Sequence, residues 1–182
     1  MIVLLLACML SLRSQTTGNS TTGVILSGYT ARSYAAEAVD DDALNLILQC
    51  GNKAPSARNS QPWRFTVVKD QQIIGQLVRN AAAGNVVIIV SGLESGQQGM
   101  SVEFDCGLAT ENMVVAAQSL GLGAHIYTGP VQNINTNLKQ TLEIPSGYKA
   151  IAVLQIGHID AKTDAVSSAS PRNDLKGVVN YK

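Results

Sequence analysis

The chain has 182 residues, the size of one domain, and a single domain of this length removes roughly two thirds of its unfolded surface from water. Its 13 basic residues balance 13 acidic ones and no run of Lys or Arg traces a phosphate backbone, which argues against nucleic acid as a partner. Aromatic residues are few, with Trp63 the single tryptophan.

Residues 1–14 open with an apolar run, Met1 to Leu12, too short to cross a bilayer as a helix. They read as a signal-peptide core that lacks the usual basic n-region, with Ser14 as a small residue at the cleavage site. Leu5-Leu6-Ala7-Cys8 also has the look of a lipoprotein signal with Cys8 acylated, the one route by which this chain would meet a membrane. The expected location is therefore the periplasm or cell envelope, the alternative being a cytoplasmic protein whose first residues form a buried helix or strand. Residues 15–28, rich in Thr, Gly, Asn and Ser, read as a linker, and 29–182 as the folded domain.

Asp40-Asp41-Asp42 place negative charge at the start of a helix expected over 41–50, where Ala43, Leu44, Ile47 and Leu48 share a face and Gly51 suits a left-handed C-terminal position. Next comes Ala54-Pro55-Ser56-Ala57-Arg58-Asn59-Ser60-Gln61-Pro62-Trp63-Arg64-Phe65. Two prolines stiffen a run crowded with short donors and acceptors, the composition of a ligand-binding loop between packed elements. A strand near 64–69 and a short helix over 71–79 follow.

The β-branched run Asn85 to Ser91 reads as a strand covered on both faces. Beyond the Gly- and Gln-rich stretch 92–100, Val102, Cys106, Ala109, Met113, Ala116, Ala117 and Leu120 recur by threes and fours along one face of a long helix that Ser101 caps. Gly121-Leu122-Gly123 ends it. A strand over 124–127 with a turn to Pro130, a short helix over 138–142 and a last buried strand over 150–157 complete the order. The expected class is α+β, a three-layer sandwich with a central mixed sheet flanked by helices.

His125 and His158 are isolated, and there is no Cys-x-x-Cys and no Gly-x-Ser-x-Gly, so the sequence offers neither a zinc signature nor a nucleophile elbow. The spacing of Cys50 and Cys106 leaves their pairing open. Gly121-x-Gly123 follows a helix and has no third glycine, which excludes a dinucleotide loop. A chain without chemistry of its own is what a cofactor enzyme looks like.

Pro55, Ser56, Asn59, Gln61, Pro62 and Trp63 match in register the Pro-Ser-x-x-Asn-x-Gln-Pro-Trp motif of the nitroreductase family, and the chain resembles that family in two further places. These are Asp105-Cys106-Gly107-Leu108-Ala109-Thr110-Glu111-Asn112-Met113 with its glycine-marked exit, and the closing Arg172-x-x-Leu175-x-x-Val178-Val179. The resemblance implies a nitroreductase-like FMN-binding domain over 29–182 and a homodimer with FMN at its interface. It further implies NAD(P)H as co-substrate and a small-molecule electron acceptor such as a nitroaromatic or quinone. By matching position, Pro55, Ser56 and Asn59 would contact the flavin of the partner subunit, while Gln61 and Trp63 would shape the loop. Thr128 and Gly129 would stand near the flavin ring, and Arg32, Ser33 and Arg172 would take its phosphate.

Two positions depart from the family's Arg-x-Ser-x-Arg opening: here it reads Ala31-Arg32-Ser33-Tyr34-Ala35. The segment 76–86 is also short. A second reading follows from these departures, a flavin-binding or interaction protein with little catalytic activity. In the homodimer, Ala109, Met113, Ala116 and Ala117 are expected at the contact between chains.

Overall fold

The structure is a computed structural model and describes residues 21–95, 101–160, 162 and 172–182. The signal-peptide reading of 1–14, Cys8 included, lies outside the described residues. In the stretch read as a linker, Thr21–Ser27 forms helix α1, which lies against the long helix described below. After it, the chain runs extended beside the sheet, with the Ala31 amide donating to the Ala124 carbonyl (3.1 Å) and the Ala35 amide to that of His158 (2.9 Å).

Helix α2 spans Asp41–Asn52, and the Asp40 carboxylate caps it by accepting from the amides of Asp42 (2.8 Å) and Ala43 (3.2 Å). Gly51 is a correction. It sits inside the helix instead of in a left-handed cap, and a Cβ there would lie 2.6 Å from Met113 Cγ and 2.8 Å from its sulfur. The glycine lets two helices approach closely, and a tertiary demand has set its place.

Strand β1 (Trp63–Val68), helix α3 (Gln71–Leu77), strand β2 (Val86–Leu93), helix α4 (Val102–Ser119), strand β3 (Leu122–Tyr127), the turn of helix α5 (Val131–Asn133) and strand β4 (Tyr148–His158) follow in order. The expected helix over 138–142 is displaced: α5 continues as a π turn over Ile134–Leu138, and the residues after it form turns. The sheet has four strands in the order β1-β2-β4-β3. All three described pairings are antiparallel, so the expected mixed sheet is corrected in this respect. The reason is topological. Strands β2 and β3, joined through α4, run parallel to each other, but β4 inserts between them antiparallel to both, a split β-α-β unit.

Alternation along β2 divides the interior in two. Val86, Ile88 and Val90 meet Leu44, Ile47, Cys106, Ala109 and Met113 of α2 and α4 on one face. Val87 and Ile89 meet Ile74, Leu77 and Ile134 on the other. This gives the three layers expected, with both faces of the central strand buried as its apolar run predicts.

The far layer also holds a polar cluster. Gln155, fully buried on β4, donates through Nε2 to Asn85 Oδ1 (2.8 Å) and the Asn80 carbonyl (3.1 Å), and accepts from the Tyr127 hydroxyl (3.0 Å). Gly157 makes room for it: a Cβ there would lie 2.2 Å from Asn85 Nδ2 and 2.9 Å from Tyr34 Cδ1. Gly157→Ala is expected to cost about 1–3 kcal/mol by overpacking, read as a lowered midpoint in thermal denaturation with the far-UV spectrum kept.

Candidate functional site

The loop between α2 and β1 is held in an unusual backbone. Arg58 (φ 54°), Asn59 (φ 55°) and Gln61 (φ 46°) are all left-handed without being glycine. Such residues cost on the order of 1–3 kcal/mol each and persist only where their surroundings over-determine them, which is common at ligand sites. The restraints are visible. Ser56 Oγ accepts the Gln61 amide at 2.9 Å, and Gln61 Nε2 turns back to Asn59 Oδ1 at 3.1 Å. The Asp105 carboxylate of α4 accepts the Ala57 amide through both oxygens, at 3.3 and 3.2 Å. Trp63, buried, donates from Nε1 to Asn52 Oδ1 at 3.1 Å and fixes the exit from the loop to α2.

Pro55, Asn59 and Gln61 are exposed and Ser56 is half-buried, so the loop presents Pro55, the Asn59 amide nitrogen and the Ser56 hydroxyl at the surface. Gln61 shapes this loop with its own amide already engaged, as its expected shaping role requires.

The expected phosphate residues gather elsewhere. Arg32 and Arg172 line one cavity of about 390 Å3 together with Thr30, Glu111, Val115 and His125. Two guanidinium groups and a hydroxyl form a donor set suited to a phosphate dianion, so the chemistry of the cavity fits that end of FMN. Ser33 is half-buried, and its carbonyl accepts the Asp160 amide at 3.2 Å. Ala31 is fully buried, and a Cβ on Gly123 would lie 2.7 Å from its own, so an arginine at 31 would have no place here. Thr128 and Gly129 are exposed at the end of β3, and Gly129 borders a second cavity of about 520 Å3 beside Leu77 and Arg79.

These groups do not meet within one chain. The loop is tied to the first turns of α4 at Asp105, whereas the Arg32–Arg172 cavity flanks the helix from Glu111 to Gln118. Asp105 and Val115 are ten residues apart, roughly 15 Å at 1.5 Å per residue. The loop and the Arg32–Arg172 cavity therefore stand at different levels of the same helix.

The contact face expected on α4 is corrected too. Ala109, Met113, Ala116 and Ala117 are buried in the chain's own core against α2 and the sheet. The other side of the helix carries an apolar stripe as well, with Phe104 exposed and Leu108 and Val115 half-buried, next to the exposed Glu111.

His125 is held by two contacts, its Nδ1 at 2.9 Å from the Ala31 carbonyl and its ring stacked on Tyr127 at 3.9 Å. Burial lowers its pKa, the hydrogen bond to Ala31 opposes that, and Arg32 lowers it further. Protonation then favours the unfolded chain. The stability this provides is present above the unfolded value near pH 6.5 and is lost as pH falls through the lower folded value. His125→Gln should flatten the stability curve of the flavin-free protein between about pH 7 and 5, read by denaturant unfolding at each pH. Cys50 and Cys106 are both free, and burial pushes the Cys106 thiol up to about 12, which leaves it inert.

Asp105 is the residue that pattern reading overlooked. It stands three residues after Val102 and four before Ala109, on the buried face, and a carboxylate there was a legible signal of a buried partner.

Comparison with known proteins identifies the family. The profile of the nitroreductase family matches residues 25–99 and 79–158. A protein of Archaeoglobus fulgidus named "Putative NADH dehydrogenase/NAD(P)H nitroreductase" is 34% identical over 144 residues, which are 71% of this chain and 82% of that protein. Among solved structures, a "putative nitroreductase in complex with FMN" from Desulfovibrio desulfuricans superposes with a TM-score of 0.76 at 27% identity, covering 91% of this chain and 98% of that one. A nitroreductase with bound FMN from Bacteroides fragilis shares the fold, with a TM-score of 0.71 at 20% identity over 90% of this chain and 98% of its own.

Proposed function

This chain belongs to the nitroreductase family and is an oxidoreductase, and from that premise we propose that it works with FMN, taking electrons from NADH or NADPH and passing them in a separate half-reaction to a small acceptor such as a nitroaromatic or a quinone. Bound FMN would supply the redox chemistry that the side chains lack. The chain's part is to bind, orient and shield it. Arg32 and Arg172 take the phosphate, with Ser33 next to Arg32 along the chain; Pro55, Ser56 and Asn59 face the flavin from the partner; the exposed Thr128–Gly129 backbone at the end of β3 stands beside the ring.

The observation that carries this reading is the separation of the loop from the Arg32–Arg172 cavity along α4. Two copies related by a two-fold axis, meeting through the outward apolar side of α4, would bring the loop of one to the cavity of the other twice over. Phe104, Leu108 and Val115 supply the apolar contact.

The expected result is a homodimer with one FMN per chain, read by light scattering together with flavin released on denaturation. Phe104→Glu should drive the protein toward monomer and release flavin in step. A micromolar monomer that still holds FMN would contradict the proposal.

A further inference from the structure

The loop's strained backbone and its tie to α4 have a functional reading that rests on the flavin site proposed above. We propose that Asp105 is a positioning residue for flavin: by accepting the Ala57 amide, its buried carboxylate holds the Ser56–Gln61 loop, with its left-handed Arg58, Asn59 and Gln61, in the form that it presents to the partner's flavin.

The hydrogen bonds inside the loop, from Gln61 to Ser56 and Asn59 and from the Asn59 and Ser60 amides to the Ser56 and Ala57 carbonyls, fold it onto itself but fix it to nothing else. Its placement relative to the rest of the chain comes from Asp105 near the entrance and, at the exit, from Trp63 and from the Pro62 carbonyl, which accepts the Leu93 amide at 3.1 Å. Asp105 is only 3% exposed, and the Ala57 amide is the donor that meets both of its oxygens. Both bonds are long, but a carboxylate withdrawn from water this far has no solvent to take the place of the Ala57 amide. The bond also spans 48 positions of sequence, so it joins the loop to the helix whose outer side is the proposed dimer contact. Loop geometry and chain pairing are thereby referred to one rigid element.

The test removes the bond from either side. Ala57 opens the 3-10 turn Ala57–Asn59 and follows an extended Ser56 (φ −145°, ψ 155°), the setting in which proline is tolerated. Ala57→Pro deletes the donor, Asp105→Asn exchanges the charged acceptor for a neutral one, and Ala57→Gly, which keeps the amide, serves as the control. FMN and riboflavin are titrated by flavin fluorescence against each dimeric variant, with affinities referred to the folded fraction.

Ala57→Pro is expected to weaken both flavins alike by roughly tenfold or more, and Asp105→Asn by about half that free energy, since charge-assisted bonds are roughly twice as strong as neutral ones. The double variant should bind no worse than Ala57→Pro alone, and Ala57→Gly should bind within about threefold of wild type, a loss of under 1 kcal/mol. Unchanged affinities in Ala57→Pro, or losses that multiply in the double variant, would overturn the inference while leaving the flavin site intact. A wild-type protein that binds neither flavin would overturn both together.

Discussion

Replacing Arg32 and Arg172 together by alanine is expected to weaken FMN binding by roughly a hundred to ten-thousandfold while changing riboflavin affinity by less than about threefold. The phosphate is a dianion, and each charge-assisted bond to it contributes on the order of 1.5–3 kcal/mol. The two guanidinium groups line one cavity, and Ala31, which stands at one outer position of the family's arginine pair, is buried under the sheet edge with no room for a longer side chain. Each single variant should lose roughly ten to a hundredfold. The comparison of flavins makes the result specific. Equal losses for FMN and riboflavin would mean a disturbed cavity, and unchanged FMN affinity would place the phosphate elsewhere.

Gln155→Leu is expected to destabilise the chain by about 1–3 kcal/mol, through the buried polar groups it leaves without partners. The shape is conserved, so the cost is polar. The Tyr127 hydroxyl loses its acceptor, and the Asn80 carbonyl and Asn85 Oδ1 each lose a donor; Asn85 is buried, whereas Tyr127 is half-buried and Asn80 exposed, so water replaces part of what they lose. Each such group costs about 1–3 kcal/mol when left unpaired, and Asn85 Oδ1 keeps the Ala82 amide as partial compensation. Thermal denaturation should fall by roughly 2–4 °C for each kcal/mol lost. Tyr127→Phe alone should cost about 1 kcal/mol and much less in the Gln155→Leu background, because the bond it removes is already gone. Tyr127 is also the last residue of β3, directly before Thr128 and Gly129, so this cluster steadies the strand end that faces the proposed flavin ring.

What the sequence disclosed, and what it withheld, follows from the range of the interactions involved. The Pro55–Trp63 loop was legible because its determinants are local: prolines, short polar side chains and the turn residues they favour. The central strand was legible because burial on both faces leaves an uninterrupted β-branched run in Val86–Val90. Gly51 misled because a glycine near a helix end commonly marks a left-handed cap, whereas here Met113, distant in sequence, dictates it. The face of α4 misled for a related reason. That helix carries apolar residues on both its inward and outward sides and a carboxylate, Asp105, on the inward one, so periodicity could not say which side meets the chain's own sheet and which is left outward. The mixed sheet failed on strand order, since nothing in residues 148–158 announces that they insert between β2 and β3. The partners of Asp105 and Gln155 lie 28 to 75 positions away, beyond any local pattern. Both residues nevertheless stand among buried neighbours, the feature that identifies them once the periodicity is trusted.

The central claim is that this fold holds FMN so that electrons from a nicotinamide cofactor reach it. Its most direct test is the visible spectrum of the FMN-loaded protein during anaerobic addition of NADH or NADPH. The account predicts loss of the blue absorbance of oxidised flavin with either or both cofactors, and its return when a quinone or nitroaromatic is added. A protein that stays colourless after incubation with FMN would contradict it, and bound flavin that neither nicotinamide bleaches would leave a flavin-binding protein without the proposed activity.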